Sequence, residues 1–124
     1  MKRWMVVLAT ALLSACGEGE ITEAGRFPSP TGELDAVIGT IQAGENHPFL
    51  VVITKSGDKP MKGTRVMMAD SITDVPRVEW QDAFHMTIRC DGDARIWSYR
   101  NFWSSPSNNA TLSVGLECGT KGWR

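Results

Sequence analysis

The chain has 124 residues, 13 basic and 14 acidic side chains with a net charge of −1, and 42% hydrophobic residues. That length holds one domain with a modest core and excludes a second. The near-neutral balance supplies no basic field, which argues against nucleic acid or an anionic lipid surface as a charge-driven partner.

In chain order, Lys2 and Arg3 form a short basic start, and Trp4 to Leu13 is an apolar run about half the roughly 20 residues of a membrane-spanning helix. The segment reads as a signal peptide, not a span. It ends on Leu13-Ser14-Ala15-Cys16, which resembles the bacterial lipobox at all four positions. The resemblance implies a leader over residues 1–15, diacylglycerol on the Cys16 sulfur, cleavage before Cys16 and acylation of the new amino group. Small residues there let a peptidase bind the extended backbone closely; the plainer alternative is a cysteine in an ordinary secretory cleavage region. Each buried CH₂ contributes about 0.8 kcal/mol, so two or three acyl chains hold a protein at the membrane essentially permanently. Gly17 stands where enteric lipoproteins carry an Asp that resembles an inner-membrane retention signal. The expected address is therefore a bacterial envelope, with the outer membrane facing the periplasm favoured. Loss of Lys2 and Arg3 leaves 11 basic against 14 acidic side chains, a mature charge of about −3.

Residues 16–30 are rich in Gly, Glu, Ser and Pro, as expected of the lipidated cysteine and a flexible tether. Residues 31–124 are expected to form a single all-β domain. From Leu34 onward apolar residues alternate with period two. The predicted strands are Leu34–Gln42, Pro48–Lys55, Thr64–Ala69, Arg77–Gln81, Phe84–Cys90, Arg95–Tyr99 and Thr111–Cys118. Turn material such as Ser56-Gly57-Asp58-Lys59-Pro60 and Asp91-Gly92-Asp93 separates them. Met67–Thr73 is the one place for a single helical turn. The spacing suits an antiparallel meander or small sandwich of about seven strands. The stretch Phe27-Pro28-Ser29-Pro30-Thr31-Gly32-Glu33-Leu34 resembles the S-P-D-G-K turn that opens many β-propeller blades and several small bacterial lipoproteins. Thr31 and Glu33 replace the Asp and Lys of that pattern, so the resemblance implies only a blade-like meander.

With Cys16 committed to lipid, Cys90 and Cys118 remain as an even pair in an oxidising compartment, and a disulfide is the expected reading. Alternation puts Phe84, Met86, Ile88 and Cys90 on one apolar face, and Leu112, Val114, Leu116 and Cys118 on another, so both cysteines end a buried face. Two buried free thiols are the alternative. A metal site is not expected, because neither cysteine has a C-x-x-C partner.

No phosphate-cradling glycine loop, G-x-S-x-G elbow or H-E-x-x-H motif occurs. His47 and His85 read as surface spectators, and the carboxylates of Asp58, Asp91 and Asp93 sit where turn chemistry alone would place them. No catalytic residue, cofactor or enzyme activity is expected. The densest aromatic stretch is Arg95-Ile96-Trp97-Ser98-Tyr99-Arg100-Asn101-Phe102-Trp103. If extended throughout, it places Arg95, Trp97, Tyr99, Asn101 and Trp103 on one face, the flat aromatic and hydrogen-bonding mixture with which proteins hold sugars, peptides or a partner surface. The other reading makes Trp97 and Tyr99 core and Trp103 an edge plug. Asn109-Ala110-Thr111 has the N-glycosylation pattern, which a bacterial leader makes irrelevant.

The expected function is a lipid-anchored, non-enzymatic envelope domain that binds a protein or cell-wall component. The rival is a periplasmic inhibitor of a wall-degrading enzyme, since Cys90-Asp91-Gly92 resembles a fragment of the lysozyme-inhibitor lipoproteins. The S-G-x-x-Y loop of that family is absent.

Overall fold

The period-two alternation places Ala36 and Ile38, Val51 and Ile53 on one side of their strands, where they meet Met86, Ile88, Leu112 and Val114 in a single buried cluster. The computed structural model describes residues 20–106 and 110–119; the leader, Cys16, Gly17 and Asn109 lie outside the described residues. Nine strands follow in order: β1 (Thr22–Pro28), β2 (Leu34–Thr40), β3 (Phe49–Lys55), β4 (Thr64–Asp70), β5 (Arg77–Asp82), β6 (His85–Asp93), β7 (Arg95–Tyr99), β8 (Phe102–Ser104) and β9 (Thr111–Gly119). They form two sheets, one ordered β1-β2-β3-β4-β7 and one ordered β5-β6-β9-β8. The fold is an all-β sandwich with the apolar cluster between its sheets.

Two strands were not expected. β1 lies in the stretch expected to be tether, so the folded body begins at Thr22 rather than at residue 31. Its register with β2 runs from Thr22 opposite Thr40 to Pro28 opposite Asp35, with a bulge at Ala24. It shows no alternation because it is an edge strand held by main-chain bonds, where a proline and a bulge are tolerated. The short β8 pairs Phe102 with Ser113 and Ser104 with Thr111.

The pairing is not all antiparallel. β6 runs beside β9 in parallel, with His85 opposite Ser113 and Arg89 opposite Glu117. The reason is an excursion between them. The chain leaves the second sheet after Asp93, passes the fully buried Ala94, forms β7 in the first sheet, and returns through Arg100 and Asn101 to β8. β9 then reverses beside β8 and so lies parallel to β6. The Asp91-Gly92-Asp93 segment, expected as a turn, is accordingly the end of β6. Nor is there a helical turn at Met67–Thr73. β4 continues to Asp70, Ser71 follows with φ of 62°, and the one-turn 3-10 helix falls at Pro60–Lys62.

Cys90 and Cys118 form a disulfide, with Cα atoms 4.4 Å apart. Parallel neighbours have no hairpin to fix their register, and the bond fixes it here, beside the Arg89–Glu117 ion pair. On the outer side of the first sheet, Val37, Leu50 and Val52 are also buried. Gly39 and Gly63 allow that second layer to close. A Cβ on Gly39 would stand 2.4 Å from Ile21 Cγ2, and one on Gly63 would stand 2.4 Å from the Ile53 carbonyl oxygen and 2.5 Å from Val52 Cγ1.

Candidate functional site

The aromatic run does not make one face. Arg95 grips Asp70 through Nε at 3.0 Å and Nη2 at 2.6 Å. Trp97 has no partner in the β4–β7 register, where Met68 faces Ser98 and Ala69 faces Ile96, so it is the extra residue of a bulge and remains 40% exposed. Bonds from Arg95, then Trp97 and Ser71, outweigh burial and hold the Asp70 carboxyl below the usual aspartate range. The bulge turns Tyr99 inward, where it packs on the core and donates its hydroxyl to the Val114 carbonyl; burial pushes its pKa up. Asn101 is exposed at the crossing, and its main-chain carbonyl accepts the Val114 N–H at 2.9 Å. Trp103, past the crossing, belongs to the second sheet and packs half-buried against the core. Arg95 and Trp97 thus share one surface, while Tyr99 and Trp103 do not.

Trp103 instead opens onto a cleft of about 900 Å³ at one end of the sandwich. Pockets that enclose small ligands fall at roughly 300–1,000 Å³. Leu34 and Ile53 of the first sheet and Leu112 of the second supply its apolar floor, with Phe84 and Trp103 along the second sheet's side. The rim is charged and polar: Glu33, Lys55, Asp58 and Lys62, with Thr64 and Thr111 between rim and floor.

Phe84 reaches this position through a correction to the sequence reading. Alternation put it on the buried face of β6, yet it is 55% exposed. It sits in the β5–β6 turn, before the strand begins, and alternation does not carry through a turn. Asp82 builds that turn: Oδ1 accepts the Phe84 N–H at 2.8 Å and meets His85 Nδ1 at 2.8 Å. His85 first, then the Phe84 N–H, hold the Asp82 carboxyl below its ordinary value.

The opposite rim is anchored by a buried ion pair. Asp35, 3% exposed, accepts Arg26 Nη1 at 2.7 Å and the Gly57 N–H at 3.0 Å. Burial works to raise the Asp35 pKa, but these two bonds prevail and its carboxyl lies below the usual range. Arg26 also binds Glu23 at 2.8 Å and the Asp58 carbonyl at 2.9 Å. Strand β1, strand β2 and the β3–β4 loop are thereby tied together beneath Lys55 and Asp58, and the rim is held in place before any ligand arrives.

Nothing in the sequence order announces this cleft, since its floor and walls come from Leu34, Ile53, Phe84, Trp103 and Leu112, each from a different segment. The one usable signal was Trp103, an aromatic followed by Ser, Pro and Asn. No grouping of three or more His, Cys, Asp or Glu residues suited to a metal ion occurs among the described residues. No described helix is long and apolar enough to cross a membrane. Comparison with protein-family models, with curated proteins and with solved structures finds no match.

Proposed function

We propose that the chain is an exported, lipid-anchored protein of the bacterial envelope whose sandwich is a non-enzymatic binding module, with the cleft at its open end as the binding site. The observation that carries this reading is the cleft itself: an apolar floor, two aromatic side chains set at one wall, and a charged rim tied down by the Arg26–Asp35 pair. The disulfide suits an oxidising compartment, and so supports export.

The strand end nearest Cys16 in sequence is Thr22, and the cleft lies toward the other end of β1. Strand β1 starts at Thr22, six residues after Cys16, so an acyl group on Cys16 sits at most about 21 Å from that strand end. Pro28, at the other end of β1, lies on the cleft side, about 20 Å further along at 3.3 Å per residue. A lipid on Cys16 would thus tether the domain through the end of β1 remote from the cleft.

The test uses the full chain, expressed with its own leader in a bacterial envelope. Intact-mass measurement should give a diacylglyceryl-modified Cys16, and Cys16→Ser should release the protein from membranes. Crosslinking in the envelope should then yield one dominant species that is lost in Phe84→Ala and Trp103→Ala. An unmodified Cys16 removes the anchor, and a crosslinking pattern identical in all variants removes the cleft. The inhibitor reading is favoured by one feature, Met61, 58% exposed on the β3–β4 loop. It requires the captured species to be a wall-degrading enzyme whose activity falls on addition of the protein.

A further inference from the structure

The sandwich has four sheet edges, β1, β7, β5 and β8, and all but β8 are guarded. Strand β1 carries Pro28 and the bulge at Ala24, β5 a bulge at Gln81, and β7 the bulge at Trp97. Trp80 also closes the β1–β5 side by donating Nε1–H to the Phe27 carbonyl. Bulges, prolines and charges are the devices that keep an edge from pairing with another chain. Strand β8 has none of them: its register with β9 is unbroken, and Phe102, Trp103 and Ser104 carry no charge. Phe102 is 47% exposed, and Ser104 is exposed as well.

The ladder bonds fix which groups of β8 are spare. The Val114 N–H donates to the Asn101 carbonyl at 2.9 Å, and the Ser105 N–H to the Ala110 carbonyl at 2.8 Å. Both bonds fall on the register that sets Trp103 opposite Leu112, so the ladder runs from Asn101 to Ser105, and Asn101, Trp103 and Ser105 turn their main chain to β9. The N–H and C=O groups of Phe102 and Ser104 therefore point the other way, and they have no partner among the described residues. Donors and acceptors alternating along an extended backbone are what an added strand satisfies.

The room beside β8 suits a strand and not a domain. Across the sandwich β1 packs on β5 and β4 on β8, so β7 projects past β8 in the wider first sheet. No described strand of the second sheet lies over it. A second copy docking through its own β8 would bring a whole sandwich against the projecting β7, whereas a single extended segment fits over it. We infer that the free edge of β8 takes an extended segment of a partner polypeptide as an added strand, bonded at Phe102 and Ser104, with an apolar side chain inward beside Trp103. These main-chain groups act without any ligand in the cleft, so the inference stands apart from the cleft's own binding.

The test adds to the oxidised full chain a capped peptide of the sequence 111–116, Thr-Leu-Ser-Val-Gly-Leu, which β8 already accepts on its other side. Amide exchange is followed residue by residue by NMR. In the same residue pairing, the peptide's serine and threonine bond Phe102 and Ser104, and its first leucine lies beside Trp103. Exchange at the Phe102 and Ser104 amides should slow about tenfold with peptide at roughly ten times its Kd. The Trp103 amide, already bonded to β9, should keep its rate. N-methylation of the peptide's threonine and serine removes the donors that face β8 and should abolish the protection. N-methylation of its first leucine and its valine, whose N–H groups face away, should leave it. Ser104→Pro removes one outward donor and no bond to β9, so it should weaken the peptide about tenfold with little change in Tm.

Protection that survives methylation of the threonine and serine, an unaffected Ser104→Pro, or no slowing at Phe102 and Ser104 overturns the added strand. Slowing confined to cleft residues such as Lys55 and Phe84 also overturns it and gives the peptide to the cleft. Slowing at Phe102 and Ser104 that rises with protein concentration in the absence of peptide gives the edge to a second copy and overturns the partner assignment.

Discussion

Removing the Cys90–Cys118 bond should cost far more than either side chain's packing suggests. The bond closes a loop over a sequence separation of 28, for which the chain-entropy model gives roughly 3.5 kcal/mol at 25 °C. Small domains have only about 5–15 kcal/mol in total, so the variant should stay folded but melt roughly 15–25 °C lower. The structure adds a sharper test than the size of the loss. Once either cysteine is replaced the loop is already open, so replacing the second should cost little more. Cys90→Ala, Cys118→Ala, the double variant and the reduced wild-type protein should therefore melt close together, with a strongly non-additive cycle. Circular dichroism melts with and without reductant, alongside a thiol titration of the folded oxidised chain, give the result. Two reactive thiols in that chain, or single-variant losses that simply add in the double variant, would refute the reasoning. A modest difference between the single variants is expected from packing alone, because Cys90 is buried in the core cluster and Cys118 only packs against it.

Two further perturbations test the cleft's supports. Asp35→Asn weakens the bond to Arg26 and the acceptor for Gly57, and should cost about 2–4 kcal/mol in urea unfolding at pH 7. Because the Asp35 pKa is lowered by folding, its contribution is full above the ordinary aspartate value of 3.8 and disappears as pH falls from there through the lower folded value. The gap between wild type and Asp35→Asn should accordingly narrow between pH 7 and pH 3, and a gap that widens on acidification would contradict the assignment. Gly63→Ala drives a methyl group to 2.4 Å from the Ile53 carbonyl oxygen, a backbone atom that cannot swing aside, and should cost about 1–3 kcal/mol. An unchanged melting temperature would show that the 3-10 turn lifts freely from β3.

What could be read from the sequence follows a physical rule. Short apolar runs bounded by turn residues announce strands whether one face or both are buried, so Leu34–Thr40 and Phe49–Lys55, buried on both faces, and Arg95–Tyr99 were found nearly to the residue. The cysteine pairing was legible because Cys90 and Cys118 each end the apolar face of a strand, whereas Cys16 lies in the N-terminal apolar segment. Strand β1 was invisible because Thr22–Pro28 is an edge held by main-chain bonds and by Arg26, and Phe27 is its one large apolar side chain. The aromatic run misled for a related reason. Period two assumes an unbroken strand, but the bulge at Trp97 and the crossing at Arg100–Asn101 each shift the phase, sending Trp97 out and Tyr99 in. The cleft was hidden because it exists only where two sheets from distant segments meet.

The placement of that meeting follows from the connections. At the cleft end every link joins neighbours within one sheet: β1 to β2, β3 to β4, β5 to β6 and β8 to β9. Both β4 to β5 and β6 to β7 cross between the sheets at the other end, where the Thr73 N–H donates to the Asp91 carbonyl at 3.2 Å and the disulfide holds the adjacent residue, Cys90. The β7 to β8 crossing passes at the edge, through Asn101. Between the β1 and β5 edges at the cleft end the sheets are joined by a side-chain bond, Trp80 Nε1–H to the Phe27 carbonyl at 3.0 Å, and the cleft opens beside it around Leu34, Ile53 and Leu112. The covalent closure thus lies at one end of the sandwich and the cleft at the other. Truncating Phe84, already more than half exposed, should on this argument cost well below the roughly 3–5 kcal/mol of a core phenylalanine, which is why it can report on binding without unfolding the domain that presents it.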